Sequence, residues 1–515
     1  MRVLFYDCGY ESFGVQYLIS SLKKSLHDVR LFFDSSFSKD YLAQDFPLTN
    51  FLSLTPVQVC AGILAHSPDV VCFSLYTIFY QENLAAIRLL KKAKPELIVV
   101  CGGFHASLLA AVVLENREVD FVILGEAEIS LPILLEKLVD TPPELVKTLP
   151  PGSLPGVWNS RNGKLVERGL SPIPGDLDAL PFPEKEMYYR ENPSLAIIYT
   201  VIASRGCPYG CTYCNTATMN QLYRHHGQRY YRVRSVDNVL AELHAAVKRH
   251  HPRQIMFFDD VFAADRKWLQ EFARRYKEEI ALSYYCQTSP LVHDEESLTL
   301  LAESGCCLLE FGFQSANAQV RQEILNRREA NSDVKKLVLH AIRLGIFTEL
   351  DLIAHLPGET REHIQEALDF VLETRPHWVN LAFLQFHPKT PITDIALRTR
   401  MLTEGDVRRI EQGQLASSMR LLSKSNLGKE YRILPFQMFA AFYLPRKISR
   451  KIIRWVQSPG IASLCSVFAS AFLYVSRILL SYTDRRDFLV RHHVIRCFHA
   501  GKWVLARKVL GFARQ

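Results

Sequence analysis

The sequence predicts an α/β fold: a Rossmann-like doubly wound sheet, then a partial (β/α)6 barrel of the TIM type, then a helical C-terminal region. Two observations carry this. Short β-branched runs alternate with segments of helical spacing over residues 1–140, and a second series of six such units begins at 197. A chain of 515 residues is also too long for one compact core, so several domains follow.

In the first series the strand candidates are VLFY (3–6), VRLFF (29–33), DVVCFSL (69–75), LIVVCGG (97–103) and VDFVILGE (119–126). ENLAAIRLLKKAK (82–94) and SLPILLEKLV (130–139) have helical spacing. This alternation makes a parallel sheet, whose ligands sit beyond the carboxyl ends of its strands. The ends SLYT (74–77), CGGFHA (101–106) and GEAE (125–128) line one edge. Residues 141–196 read as a proline-rich linker with one hairpin at 156–169, turning at Asn162-Gly163.

The second series, 197–398, has strand candidates at 197–203, 254–260, 282–287, 307–313, 347–356 and 378–386. A barrel of this kind does its chemistry at the carboxyl ends of its strands. Directly after the first strand comes RGCPYGCTYCN (205–215), with Cys207, Cys211 and Cys214 in a C-x3-C-x2-C spacing.

Residues 399–515 read as mostly helical and basic. From 431 onward fifteen Lys/Arg face two Asp/Glu, so residues 1–430 carry a net −5 of the total +8. In PRKISRKIIRW (445–455), Arg446, Lys447, Arg450, Lys451 and Arg454 share one face, and Ile448, Ile452, Trp455 and the following Val456 lie opposite. Interleaved basic and apolar positions favour a membrane interface over nucleic acid. GIASLCSVFASAFLYVS (460–476), short for a span, reads as a buried or interfacial helix, with a transmembrane span as the lesser alternative.

The opening MRVLFYDCGYE lacks the pattern of a secretory signal, so the expected location is cytoplasmic, with peripheral contact at a membrane's inner face. Twelve cysteines in a reducing compartment point to metal binding or catalysis rather than disulfides. For the trio, C-type haem is excluded because Asn215, not His, follows Cys214. Zinc needs a fourth ligand, for which His225 and His226 are candidates. An iron–sulfur cube held by three cysteines leaves one iron open.

The trio, with Tyr213 before its third cysteine, resembles the radical S-adenosylmethionine superfamily. So do FFDDVF (257–262), LLEFGFQSAN (308–317), HLPGET (355–360) and FHPKTPI (386–392), although Gln314 stands where many members have Glu and Lys389 where glycine is common. The resemblance implies a [4Fe–4S] cluster on Cys207, Cys211 and Cys214, S-adenosylmethionine on its open iron, and a flavodoxin or ferredoxin as electron donor. It makes Tyr213, Asp259, Asp260, Gln314 and Ser315 the candidate S-adenosylmethionine contacts.

Residues 1–140 resemble the cobalamin-binding domain fused to many of these enzymes. Candidate cobalamin contacts are Ser74, Leu75, Thr77, Gly102, Gly103, Gly125 and Glu126. The early loop YDCGYESFG (6–14) lacks the histidine of D-x-H-x-x-G, so no domain histidine is expected to ligate cobalt; His105 is expected to pack or hydrogen-bond, and Leu75 or Tyr76 to face the lower side of cobalt. The implied reaction is methylation of an unactivated carbon of a hydrophobic or lipid-like small molecule. The alternatives are radical cyclisation or rearrangement without methylation and, in another class, a metal-containing binding module with a basic tail. A tRNA methylthiotransferase fits less well, because Cys8, Cys60, Cys72 and Cys101 fall in or near strands.

Overall fold

The computed structural model describes residues 1–23, 25–36 and 53–458; the segment 460–476 lies outside them. The first sheet has seven strands: β1 (Arg2–Cys8), β2 (Asp28–Asp34), β3 (Val70–Ser74), β4 (Ile98–Gly102), β5 (Phe121–Ile123), β6 (Val157–Arg161) and β7 (Lys164–Val166). Their order is β2-β1-β3-β4-β5-β6-β7. β1 to β5 run parallel, and the order reverses between β1 and β3, the position at which such sheets bind ligands. Val3 and Phe5 fall in one apolar core, Leu4 and Tyr6 in another, as a strand covered on both faces requires.

The hairpin at 156–169 is no free linker. β6 pairs antiparallel with β5 and extends the sheet, with Asn162 and Gly163 both at positive φ in the turn.

The second sheet holds β8 (Ile198–Val201), β11 (Gln254–Phe257), β12 (Tyr284–Thr288), β13 (Cys306–Gln314), β14 (Phe347–Ala354) and β15 (Trp378–Phe383), all parallel and in chain order. β8 and β15 do not pair, so the barrel is partial. A two-residue ladder, β9 (Ser204–Arg205) with β10 (Arg232–Val233), closes a loop beside β8. Helices return between strands, several started by a side-chain cap: Ser235 on the Asn238 amide, Asp265 on Trp268 and Asp294 on Ser297.

Buried polar contacts join the two sheets. Lys185 Nζ lies 3.2 Å from Glu11 Oε2 and donates to Thr200 Oγ1 at 2.6 Å, and Thr200 donates to Glu11 Oε1 at 2.7 Å. Glu11 belongs to the loop after β1 and Thr200 to β8, so the linker lysine fastens one domain to the other. Nearby, Tyr188 Oη donates to Asp7 at 2.6 Å, and burial pushes Asp7 up to about 7.

The C-terminal region covers the open end of the barrel. Helix Gly428–Tyr443 packs on β15 and on helix Arg361–Thr374, shielding the edge strand. Tyr431 Oη donates to Glu359 at 2.6 Å, and Arg375 donates to the Leu444 and Phe442 carbonyls. Gln81 Nε2 donates to the Gln412 carbonyl, and a Cβ on Gly413 would lie 2.7 Å from the Thr77 carbonyl, so this region also touches the first domain. In helix Arg446–Val456, Ser449, Ile453 and Val456 are buried. Ile448 and Trp455 sit about 100° round the helix from that stripe and are exposed. The apolar face expected from sequence is therefore divided between the protein and its surface. Among the described residues no helix is long and apolar enough to cross a membrane.

Lys185→Met leaves the Glu11 carboxylate buried without its cation, and we expect a loss of about 3 kcal/mol, measured by urea unfolding. Burial pushes Glu359 up to about 7 from 4.5, against hydrogen bonds from Tyr431 and the Leu356 and His355 amides. The folded state then keeps a proton that the unfolded chain releases. The stability this adds is full below about pH 4.5 and fades as pH rises through 7. Glu359→Gln is expected to flatten that part of the decline in unfolding midpoint between about pH 5 and 8.

Candidate active site

The cysteine loop leaves β8 and is held at many points. Gly206, at positive φ, lies against Tyr230, where a Cβ would come 2.9 Å from the ring. Asn220 Nδ2 donates to the Cys207 carbonyl at 3.1 Å, the Thr212 amide to Leu325 O at 3.2 Å, and Asn326 Nδ2 to Gly210 O at 2.8 Å. Cys211 is buried; Cys207 and Cys214 are half-buried, and all three are free thiols. Cys214 is the N-cap of helix Asn215–His225, and the opening amides of that helix favour negative charge at its sulfur. Burial nonetheless raises the Cys214 thiol and pushes Cys207 up to about 12. Thiolates here need a strong local positive charge, which iron provides.

Among the described residues no three His, Cys, Asp or Glu side chains form a group able to hold one metal ion. Three thiolates that each bind a different iron need no such convergence. His225 and His226 are exposed at the far end of the helix that Cys214 begins, roughly 15 Å along it, away from the position a fourth zinc ligand requires. The donor set fits a cube with one open iron.

The two consecutive aspartates part company. Asp259 is buried, accepts from the Ala203 amide at 3.0 Å and Ser204 Oγ at 2.5 Å, and is pushed up to about 7 by burial. It pins the end of β8. Asp260 is accessible, accepts from Thr216 Oγ1 at 3.2 Å, and adds its charge to the fields at Cys207 and Cys214. Gln314, at φ 73°, sits where β13 slips register against β14. Ser315 is buried, and its hydroxyl accepts from the Asn317 amide at 3.3 Å.

Sequence reading missed Arg327. Its Nη1 lies 3.6 Å from Cys211 Sγ and 3.4 Å from Tyr213 Oη, while Nη2 donates to Gly312 O at 2.5 Å and Nε to Glu329 at 2.6 Å. A lone arginine in a loop carries no local signal. Also missed was a polar inner wall on β12 to β15. Tyr285 donates to Glu310, Gln287 Nε2 bonds both, and Asn380 Nδ2 donates to Glu349 and Asp351 at 3.0 Å. Burial, then the Glu310 charge, raises Asp351 well above the carboxylate range.

At the first-domain edge, Ser74 is half-buried and Tyr76 and Ile78 are exposed. A Cβ on Gly102 would meet nothing nearer than 3.8 Å. This open, small-residue edge fits a flat macrocycle. Leu75 does not line it: its side chain is fully buried, leaving Tyr76 and Ile78 as the apolar surface. Thr77 Oγ1 pairs with His105 Nδ1 at 3.1 Å, and His105 packs 4.1 Å from Tyr80 with its basicity lowered to about 4 by burial. On Gly103 a Cβ would lie 2.9 Å from the Leu75 amide, so this glycine serves the β3–β4 contact.

Gly125 and Glu126 bind the barrel. A Cβ on Gly125 would overlap Tyr223 Oη, the Glu126 amide donates to that oxygen at 2.7 Å, and the Glu126 carboxylate pairs with Arg205 at 2.7 Å and with Arg232. The carboxyl edges of the two sheets meet elsewhere too, where Tyr10, after β1, stacks on Phe258, after β11, with centroids 5.9 Å apart.

Comparison with known proteins agrees with both halves. A B12 binding domain model matches residues 10–135, and a radical SAM superfamily model matches 201–371. The chain is 23% identical to an uncharacterized methyltransferase of Pyrococcus horikoshii, covering 85% of this chain and 89% of that one. It is 25% identical to the anaerobic magnesium-protoporphyrin IX monomethyl ester cyclase of Rubrivivax gelatinosus, covering 74% and 67%. The solved structure of the cobalamin-dependent radical enzyme OxsB, with aqua-cobalamin and S-adenosylmethionine bound, shares the fold at a TM-score of 0.64 and 15% identity, covering 99% of this chain and 79% of that one. The chain belongs to the B12-binding-domain-containing radical S-adenosylmethionine enzymes, whose cofactors are a [4Fe–4S] cluster, S-adenosylmethionine and cobalamin.

Proposed function

We propose that this enzyme methylates an unactivated carbon of a small molecule. The observation that carries the reading is that the cysteine loop and the cobalamin edge are fixed to one another, through Arg205 on Glu126 and Tyr10 on Phe258. When bound, the cluster and cobalamin supply one-electron cleavage of S-adenosylmethionine and a transferable methyl group. Cys207, Cys211 and Cys214 hold three irons. Asp260 is the carboxylate left for the amino group of S-adenosylmethionine, since Asp259 is engaged by Ala203 and Ser204. Gln314 offers its amide to the ribose and Tyr213 its backbone to adenine. Arg327 sets a positive charge beside the Cys211 thiolate. Ser74 and Gly102 line the cobalamin edge with Tyr76 and Ile78.

The likeness to a relative named as a methyltransferase supports methyl transfer. The likeness to one named as a cyclase favours the second reading, ring formation without methylation. The lipid-like substrate expected from the basic tail is narrowed by the inner wall: Gln287, Glu310, Asp351 and Asn380 suit a molecule with a polar or cationic group at the reacting end. Peripheral contact with an anionic lipid surface is supported by helix Arg446–Val456, where exposed Ile448 and Trp455 adjoin its five basic residues.

Anaerobic reconstitution with iron, sulfide and cobalamin should yield 5′-deoxyadenosine from S-adenosylmethionine, and alanine at Cys207, Cys211 and Cys214 together should abolish it. A product heavier by one methyl group selects methylation over cyclisation. Ile448→Ser with Trp455→Ser should reduce co-sedimentation with phosphatidylglycerol vesicles severalfold; equal pelleting would count against membrane contact.

A further inference from the structure

Phe258 directly follows β11 and precedes the two aspartates of the site, yet its ring is 42% exposed. Strand alternation sets where it points. Phe257 packs edge-on against Phe272 and Tyr276 of helix Arg266–Glu279, in the outer layer, so Phe258 turns to the inner face of the barrel. The strand geometry persists at Phe258, because its amide donates to the Val201 carbonyl of β8. Tyr284 on β12 packs against the same helix, so Tyr285 and Gln287 also face inward. Phe257 pairs with Cys286, which sets Phe258 level with Gln287 of the polar inner wall.

Two rings of the first domain back Phe258. Tyr10 stacks on it with centroids 5.9 Å apart and planes 12° from parallel, and Phe13 lies 6.2 Å away. Lys185 Nζ, itself tied to Glu11 and Thr200, sits 4.4 Å from the Phe13 ring centroid. The residues that fasten the two domains therefore hold the ring from one side. A ring fixed in this way gives a large apolar contact at little cost in ordering. Along the same inner face, the half-buried Gln287, Glu310, Asp351 and Asn380 offer hydrogen bonds and negative charge. The face is thus apolar at β11 and polar towards β15. Phe258 also adjoins both halves of the site. Asp260 is two residues on, and Tyr10 belongs to the loop after β1, where the first sheet reverses order.

The geometry points to Phe258 as a substrate-positioning residue: its ring, backed by Tyr10 and Phe13, takes an apolar segment beside the reacting carbon, while the wall on β12 to β15 takes a polar group of the same molecule. This rests on the methyl-transfer reading above and adds what holds the acceptor carbon in place. The substrate class is an apolar carbon skeleton bearing a hydrogen-bonding or cationic group. A misplacement of about 1 Å can cost about a hundredfold in rate, so loss of the ring should separate radical formation from product formation.

The test uses the reconstituted full chain with methyl-deuterated S-adenosylmethionine and a deproteinised extract of the source cells as the substrate probe. Variants are compared at equal bound iron and cobalamin, read from their absorption spectra. The measure is deuteromethylated product per 5′-deoxyadenosine. Phe258→Ala should lower that ratio at least tenfold, whereas Phe258→Tyr, which keeps the ring, should hold it within about threefold of wild type. If alanine loosens the domain contact and cofactor uptake fails, Phe258→Leu gives the same readout with bulk preserved, and the ratio should still fall at least about threefold. An unchanged ratio in the alanine or leucine variant, or an equal loss in the tyrosine variant, would overturn the role of the ring. No deuteromethylated product from the wild type would instead overturn the methyl-transfer reading on which it rests.

Discussion

Arg205, two residues before the first cysteine, gives one guanidinium nitrogen to two carboxylates of the other domain, Glu126 and Glu128, each at 2.7 Å, and lays its plane 4.4 Å over the Tyr17 ring. All four side chains are largely withdrawn from water. Such a group is tolerable only when every charge is matched, and removing one partner strands the rest. Arg232 completes the match from β10, and glycine at 125 lets Tyr223 approach the same turn. The position of the cluster loop therefore depends on the first domain, and the cobalamin edge depends on the barrel. Neither half of the site is set by its own domain alone.

That dependence explains what the sequence displays. Strands are visible because burial on both faces writes continuous apolar runs, and the trio is visible because its ligands are close along the chain. Arg205 and Glu126 are 79 positions apart, and nothing local marks them as a pair. Glu126 reads as a ligand contact because it ends a strand, yet its carboxylate holds two arginines. Asp259 and Asp260 look equivalent until the turn after β11 buries one against the Ala203 amide and the Ser204 hydroxyl and leaves the other accessible beside Thr216. Leu75, just past β3, follows Val71 and Phe73 into the core. The hairpin at 156–169 is legible as a hairpin, but its pairing with β5 is set by a free strand edge that no local pattern records.

The inner wall of the barrel and its outer end have opposite characters. Inside, carboxylates, amides and a tyrosine share hydrogen bonds across four strands, and burial raises Asp351 well above the carboxylate range. Outside, helix Arg446–Val456 presents tryptophan and isoleucine beside arginine and lysine. The two surfaces therefore offer unlike contacts, hydrogen bonds within and apolar rings beside cations without.

The contact between Gln81 and the Gln412 carbonyl spans 331 positions, and Gly413 lies on Thr77 and Tyr80 beside it. During synthesis the first domain emerges and folds before the barrel, and this contact forms only once the barrel and the segment beyond it have left the ribosome. Gln412 and Gly413 thus brace the Thr77–Tyr80 corner from outside the first domain, and that corner is completed by a segment made long after its own strands.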